Sequence, residues 1–208
     1  NDQYDHIIWD WNGTLLDDIA LCVQVNNELL RTHGLPELTV KRYQRLFGFP
    51  IRYYYKALGF DFDATPFEDL AEHYVSVYEA EAKHTSLHQG VTEMLSAVKA
   101  GGKTQSVLTA ANESHVHDMM DHFSLWKFFD HVFGICDRFA ASKIERGHDL
   151  IAHSGITADR TLLVGDTDHD HEVGEALGTN VLLVAHGHQS LERLRALHHN
   201  VRETLADF

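Results

Sequence analysis

No apolar run of about eighteen or more residues occurs in this chain of 208, so the sequence offers no helix long enough to cross a bilayer. The opening stretch, NDQYDHIIWDW, lacks the basic and apolar regions of a secretory signal. The expected setting is therefore cytoplasmic, with no membrane partner. Cysteine is scarce: Cys22 and Cys136 both sit in apolar patterns without Cys-x-x-Cys spacing, which excludes a disulfide framework and predicts two buried thiols. Basic residues are also few. Against 31 acids stand 17 Lys and Arg, for a formal charge of −14, and a chain so poor in cations is not built to neutralise a nucleic-acid backbone. A small phosphorylated metabolite remains compatible, because a bound cation and a few local positive charges can outweigh the global field at one site. No obligatory protein partner is expected. With 3 prolines and no Pro/Ser-rich linker, repeat or low-complexity segment, the 44% hydrophobic content is enough for one sizeable core with a modest insertion.

The patterning that is present begins with the short apolar run His6-Ile7-Ile8-Trp9, followed at once by Asp10 and a Gly-Thr turn. This reads as a buried strand that delivers Asp10 to a sheet edge. From Asp18 the spacing turns helical until Gly34-Leu35-Pro36 stops it, and further helices are expected over 40–47, 51–58 and 67–84 with no strand between. From Gly90 helices and strands alternate: a helix to Ala100, a strand over 104–108, a helix over 113–123, a strand over 131–135, a helix over 143–153, and strands over 161–164 and 181–184. Such alternation predicts an α/β fold with a mostly parallel sheet covered by helices, with ligands at the carboxyl ends of the strands. Residues 1–17 and 86–208 form the expected catalytic core. Residues 18–85 form an inserted all-helical cap.

Segments at the ends of predicted strands carry the candidate chemistry: Asp10-Trp11-Asn12-Gly13-Thr14-Leu15, Val107-Leu108-Thr109, Lys143, and Gly165-Asp166-Thr167-Asp168-His169-Asp170. A carboxylate attacks phosphorus only if the repulsion between two anions is offset, and Mg2+ bridging Asp10, Asp166 and a phosphate oxygen would do so. Thr109 could hold phosphate oxygens, and the Lys143 ammonium could compensate the charge of both phosphoryl group and nucleophile. Asp170, four positions after Asp166 and near the same loop, is a candidate metal ligand, directly or through water. Read more plainly, these are turn acids, a strand-end hydroxyl, a surface lysine and a helix-start acid.

With these motifs in order, the sequence resembles the haloacid dehalogenase superfamily, near its phosphoglycolate phosphatase-like branch with a helical cap. The resemblance covers essentially the whole chain. It implies a Rossmann-like three-layer core and a Mg2+-dependent phosphomonoester hydrolase with a phosphoaspartate at Asp10, and it implies that the Asn12 main-chain carbonyl is a metal ligand. It departs from the family at Asn12, where phosphatases usually carry the aspartate that protonates the leaving alkoxide and later activates water. An amide can do neither. The alternatives are a phosphonate hydrolase, with Lys56 as the nearest cap lysine for a Schiff base, and a weakly active protein that binds a phosphorylated ligand. In the cap, Gly48-Phe49-Pro50-Ile51-Arg52 resembles the loop that reads the non-phosphate end of the substrate, with Arg52 as a partner for an anion. Tyr53, Tyr54 and Tyr55 are expected to divide between cap packing and the cap–core interface. Among the 17 histidines, the His-x-His pairs at 115, 169 and 186 are expected mostly at the surface, His169 excepted.

Overall fold

The structure is a computed structural model that describes residues 3–136 and 142–207. The strands are β1 (His6–Trp9), β2 (Leu16–Asp17), β3 (Ser86–Leu87), β4 (Thr104–Asn112), β5 (His131–Ile135), β6 (Thr161–Gly165), β7 (Asn180–Val184) and β8 (Val201–Arg202). Six of them form one sheet in the order β5-β4-β1-β6-β7-β8, with every neighbouring pair parallel. All four residues of β1 are buried, as expected of a central strand covered on both faces. Parallel strands need crossover connections, and helices supply them.

Those helices are α1 (Ile19–Thr32), α2 (Val40–Leu46), α3 (Ile51–Leu58), α4 (Phe67–Glu81), α5 (Val91–Ala100), α6 (Glu113–His122), α7 (Lys143–Ser154), α8 (Asp168–Leu177) and α9 (Leu191–Leu197). Alternate residues of a strand point to opposite faces, and the core divides accordingly. Ile8, Leu108 and Leu163 pack with Leu150 of α7 and Val173 and Leu177 of α8. Ile7, Trp9 and Val107 belong to the larger cluster that includes Leu95 of α5 and Met120 of α6. The result is the three-layer α/β architecture that the alternation predicted.

The helices α1 to α4 all lie between β2 and β3, which pair antiparallel through Leu16–Leu87 and Asp17–Ser86. That two-stranded clasp is absent from the sequence reading, because two residues per strand leave no periodicity to detect. Two other differences concern the sheet. β4 continues to Asn112 through a register shift against β5, and β8 adds a sixth strand at the far edge. The cysteine expectation needs one correction: Cys22 is buried, but Cys136 is exposed where β5 ends, and both are free.

Candidate active site

The chemistry gathers past the ends of β1 and β6 and at Thr109 of β4, where the register against β5 shifts. Asp10 follows β1 directly, its amide bonded to the Val164 carbonyl of β6 at 2.9 Å. Lys143 is the first residue of α7, whose N-terminus is fixed by a capping box between Ser142 and Glu145. A second capping box, Thr167 with Asp170, starts α8. Helix termini pinned in this way hold their side chains to one position, which a catalytic constellation needs.

The side chains converge. Lys143 Nζ lies 2.6 Å from Asp10 Oδ1 and 2.6 Å from Asp170 Oδ1. Thr14 Oγ1 donates toward Asp10 Oδ2 at 3.2 Å and Asp166 Oδ1 at 3.0 Å. Asp166 Oδ2 also accepts the His188 amide at 2.5 Å. Asp170 is already saturated, since its Oδ2 accepts from the amides of Asp166 and Thr167 and from the Thr167 hydroxyl. One ammonium thus pairs with two of three buried carboxylates, Asp10 and Asp170, and oxygens of Asp10, Asp166 and Asp170 lie within 4.8 Å of one another. Burial, relieved in part by Lys143, pushes Asp10 up to about 6. Burial drives Asp166 well above the usual range. For Asp170 the Lys143 charge overcomes burial and lowers it. An oxygen-only donor set with surplus negative charge suits a hard divalent cation.

Backbone geometry makes room for this cluster. Gly13 has φ of +74°, and a Cβ there would collide with Asp166 Oδ2 and the His188 ring. A Cβ at Gly187 would overlap the Asp166 carboxylate. The imidazoles of His88 and His186 stack with centroids 3.7 Å apart and reach the Gly13 and Thr14 carbonyls at 3.0 and 3.1 Å. They buttress the loop that carries Asp10.

Asn12 is tied away from the carboxylate cluster. Its Nδ2 donates to Asp18 Oδ2 at 2.9 Å and to the Tyr78 hydroxyl at 2.6 Å. Tyr78 in turn donates to Asp18 Oδ2 at 2.6 Å, and His188 Nε2 faces Asp18 Oδ1 at 3.2 Å. Tyr43 meets the other ring nitrogen of His188 at 2.9 Å. Although burial opposes both charges, their mutual attraction prevails, so Asp18 falls to about 2 and His188 rises to about 9.

A cavity of about 480 Å3 opens over these groups and is bordered by Asp10, Asn12, Thr109, Lys143, Asp166 and Asp170. Thr109 is buried at the cavity wall, where its hydroxyl accepts the Ala111 amide at 3.1 Å. Arg52 is not brought to this site. It lies half-exposed on α3, facing Glu68 at 3.4 Å and stacked over Phe62 and Phe67. Its neighbours Phe47, Phe49 and Ile51 border the cavity instead. Tyr54 and Tyr55 are buried beside it while Tyr53 is 69% exposed. Sequence reasoning missed Asp18 and His188. His188 follows β7 rather than sitting on a helix, so its position just past a parallel strand was the signal available.

Residues 7–184 match the haloacid dehalogenase-like hydrolase family. A protein of Dickeya dadantii named "probable phosphatase IndB" is 30% identical over 200 residues, spanning 91% of this chain and 85% of its own length. A phosphoglycolate phosphatase of Nitrosospira multiformis is 26% identical over 204 residues, spanning 88% and 83%. A haloacid dehalogenase-like family hydrolase from Streptococcus pneumoniae has the same fold, with a TM-score of 0.83 at 18% identity and coverage of 99% and 96%. The chain belongs to the haloacid dehalogenase-like hydrolase family and is a hydrolase. This is the family its motifs pointed to. Among the described residues, no helix is long and apolar enough to cross a membrane.

Proposed function

We propose that this protein is a magnesium-dependent phosphatase acting on a small phosphomonoester, with Asp10 as nucleophile and residues 18–85 as a helical cap over the core formed by 1–17 and 86–208. The observation that carries this reading is the buried Asp10 carboxylate, held 2.6 Å from Lys143 at the floor of a cavity. Asp10, Asp166 and the main-chain carbonyl of Asn12 would hold Mg2+, with Asp170 acting through water because its oxygens are already occupied. The cation, when bound, would offset the charge of the phosphoryl group.

The chain's own residues do the rest. Asp10 attacks phosphorus as the ester bond breaks, forming an aspartyl phosphate. Water then attacks phosphorus, the Asp10–phosphate bond breaks, and orthophosphate leaves. Lys143 holds Asp10 in line and, with Thr109, receives phosphoryl oxygens. The Asn12 amide supplies no proton in either half. This is the specific observation that favours a second reading, a protein that binds a phosphorylated ligand with feeble turnover.

Phosphonate cleavage through a lysine imine gains no support. Lys56 is exposed on α3, and among the described residues the cavity's lysine is Lys143, already committed to two carboxylates. Magnesium-dependent phosphate release across a panel of phosphomonoesters tests the proposal. Release that drops at least roughly a thousandfold in Asp10→Asn supports it. Ligand-dependent thermal stabilisation without release supports the binding protein.

A further inference from the structure

The cavity wall contributed by α1 to α4 carries a message about the substrate. Tyr43, Phe47, Tyr54, Tyr55, Tyr74 and Tyr78 all border it. The rings of Tyr43, Phe47 and Tyr54 contact one another at centroid separations of 5.1 to 5.9 Å, and Tyr74 stacks on Tyr78 at 5.9 Å. Among the described residues, no Arg or Lys from these helices reaches the cavity. The charged side chains they and their leading turn contribute are acids, Asp18 and Glu79. Two of the cavity's histidines are engaged, His188 with Asp18 and His169 with Glu172 and the Phe49 ring.

Such a wall offers no lysine or arginine to pair with a second anion, its unpartnered donors being the neutral Tyr54 and Tyr55 hydroxyls, and burying a carboxylate without a compensating charge is strongly disfavoured. Its volume, about 480 Å3, suits a bulky ligand with planar faces. A two-carbon acid would leave most of it unfilled.

The second observation is independent and chemical. Asn12 is bonded to Asp18 and Tyr78, and being an amide it cannot protonate a leaving group. An alkoxide departs slowly without that proton. A phenolate, whose conjugate acid has a pKa of about 10, departs with its electron pair and takes a proton from water afterwards.

We propose that the substrate is a phosphomonoester of a bulky, otherwise uncharged phenol, an aryl phosphate whose ring system occupies the tyrosine-lined chamber. The proposal rests on the phosphatase reading above and narrows it. The bond formed is Asp10 Oδ–P and the bond broken is P–O(aryl). The subsequent attack by water restores Asp10 and releases orthophosphate.

The test compares 1-naphthyl phosphate, 1-naphthylmethyl phosphate and phosphoglycolate with Mg2+, in the native protein, Asn12→Asp and Ala71→Arg. Ala71 borders the chamber on α4, so arginine there introduces the missing cation. In the native protein, 1-naphthyl phosphate should exceed phosphoglycolate in kcat/KM by roughly a hundredfold or more, and should exceed its shape-matched alkyl ester by a similar factor. Asn12→Asp should raise the alkyl ester far more than the aryl ester. Ala71→Arg should shift preference toward phosphoglycolate. Equal or better turnover of phosphoglycolate by the native protein overturns the proposal while leaving a phosphatase standing. If no ester is hydrolysed by the native protein or by Asn12→Asp, the phosphatase reading fails. Thermal stabilisation by the same compounds then decides the chamber's preference, and stabilisation by phosphoglycolate equal to that by 1-naphthyl phosphate, or none by either, overturns it.

Discussion

Replacing Lys143 with methionine tests the electrostatics of the site directly. The Lys143 side chain is 4% exposed, and its Nζ sits 2.6 Å from both Asp10 and Asp170. Methionine keeps much of the volume and removes the charge, which leaves the buried Asp10 and Asp170 carboxylates without the cation that contacts them. Breaking a buried pair by removing one partner typically costs about 3–5 kcal/mol. In a domain of this size, each kcal/mol lowers Tm by about 2–4 °C, so a fall of about 6–20 °C is expected without magnesium. Two further results follow from the same cause. The loss should shrink at acid pH, where Asp10 and Asp166 take up protons, since burial already raises both. Magnesium should raise the Tm of Lys143→Met, because an ion that binds the folded form stabilises it by mass action. Thermal melts and urea denaturation at pH 5 and pH 8, with and without Mg2+, measure all three. A loss below about 1 kcal/mol at pH 8, or one independent of pH, would refute this account of the cluster.

Gly187→Ala places a methyl group against the Asp166 carboxylate. It should cost about 1–3 kcal/mol in stability and about a hundredfold in kcat by displacing that carboxylate, as steady-state kinetics and thermal melts would show. Arg52→Ala should leave turnover unchanged and change stability by less than about 1 kcal/mol, because its pairing with Glu68 is solvent-exposed. His188, raised to about 9 by Asp18 despite burial, contributes stability that is fully present below its ordinary value of about 6.5 and is lost as pH rises through 9. The advantage of the native protein over His188→Gln should therefore fall by about 3 kcal/mol across that window, measured by denaturation at successive pH values.

The legible features were those repeated along the chain. Central β1 announced itself as an unbroken apolar run, α1 by its spacing and the Gly34-Leu35-Pro36 stop, and the sheet edge by the acids and hydroxyls clustered there. Asp10, Thr109, Lys143, Asp166 and Asp170 do come together, because a parallel sheet delivers all such ends to one edge. What escaped was tertiary. Arg52 is cationic and follows a loop that borders the cavity, yet its helical position turns it toward Phe62 and Phe67. His188 looked like half of a surface His-x-His pair, and only the approach of Asp18 from the start of α1 gives it a buried partner. The Asn12 side chain could be recognised as unusual, but its bond to Tyr78 joins residues 66 positions apart, a distance no local pattern spans.

The most direct test of the central claim is to quench the protein during turnover of 1-naphthyl phosphate with Mg2+, reduce it with borohydride, and map the modified residue by mass spectrometry. Borohydride converts an aspartyl phosphate to homoserine. Homoserine should appear at position 10, and should be absent without substrate and absent from Asp10→Asn. Phosphate release with an unmodified Asp10, or with the modification at another residue, would contradict it.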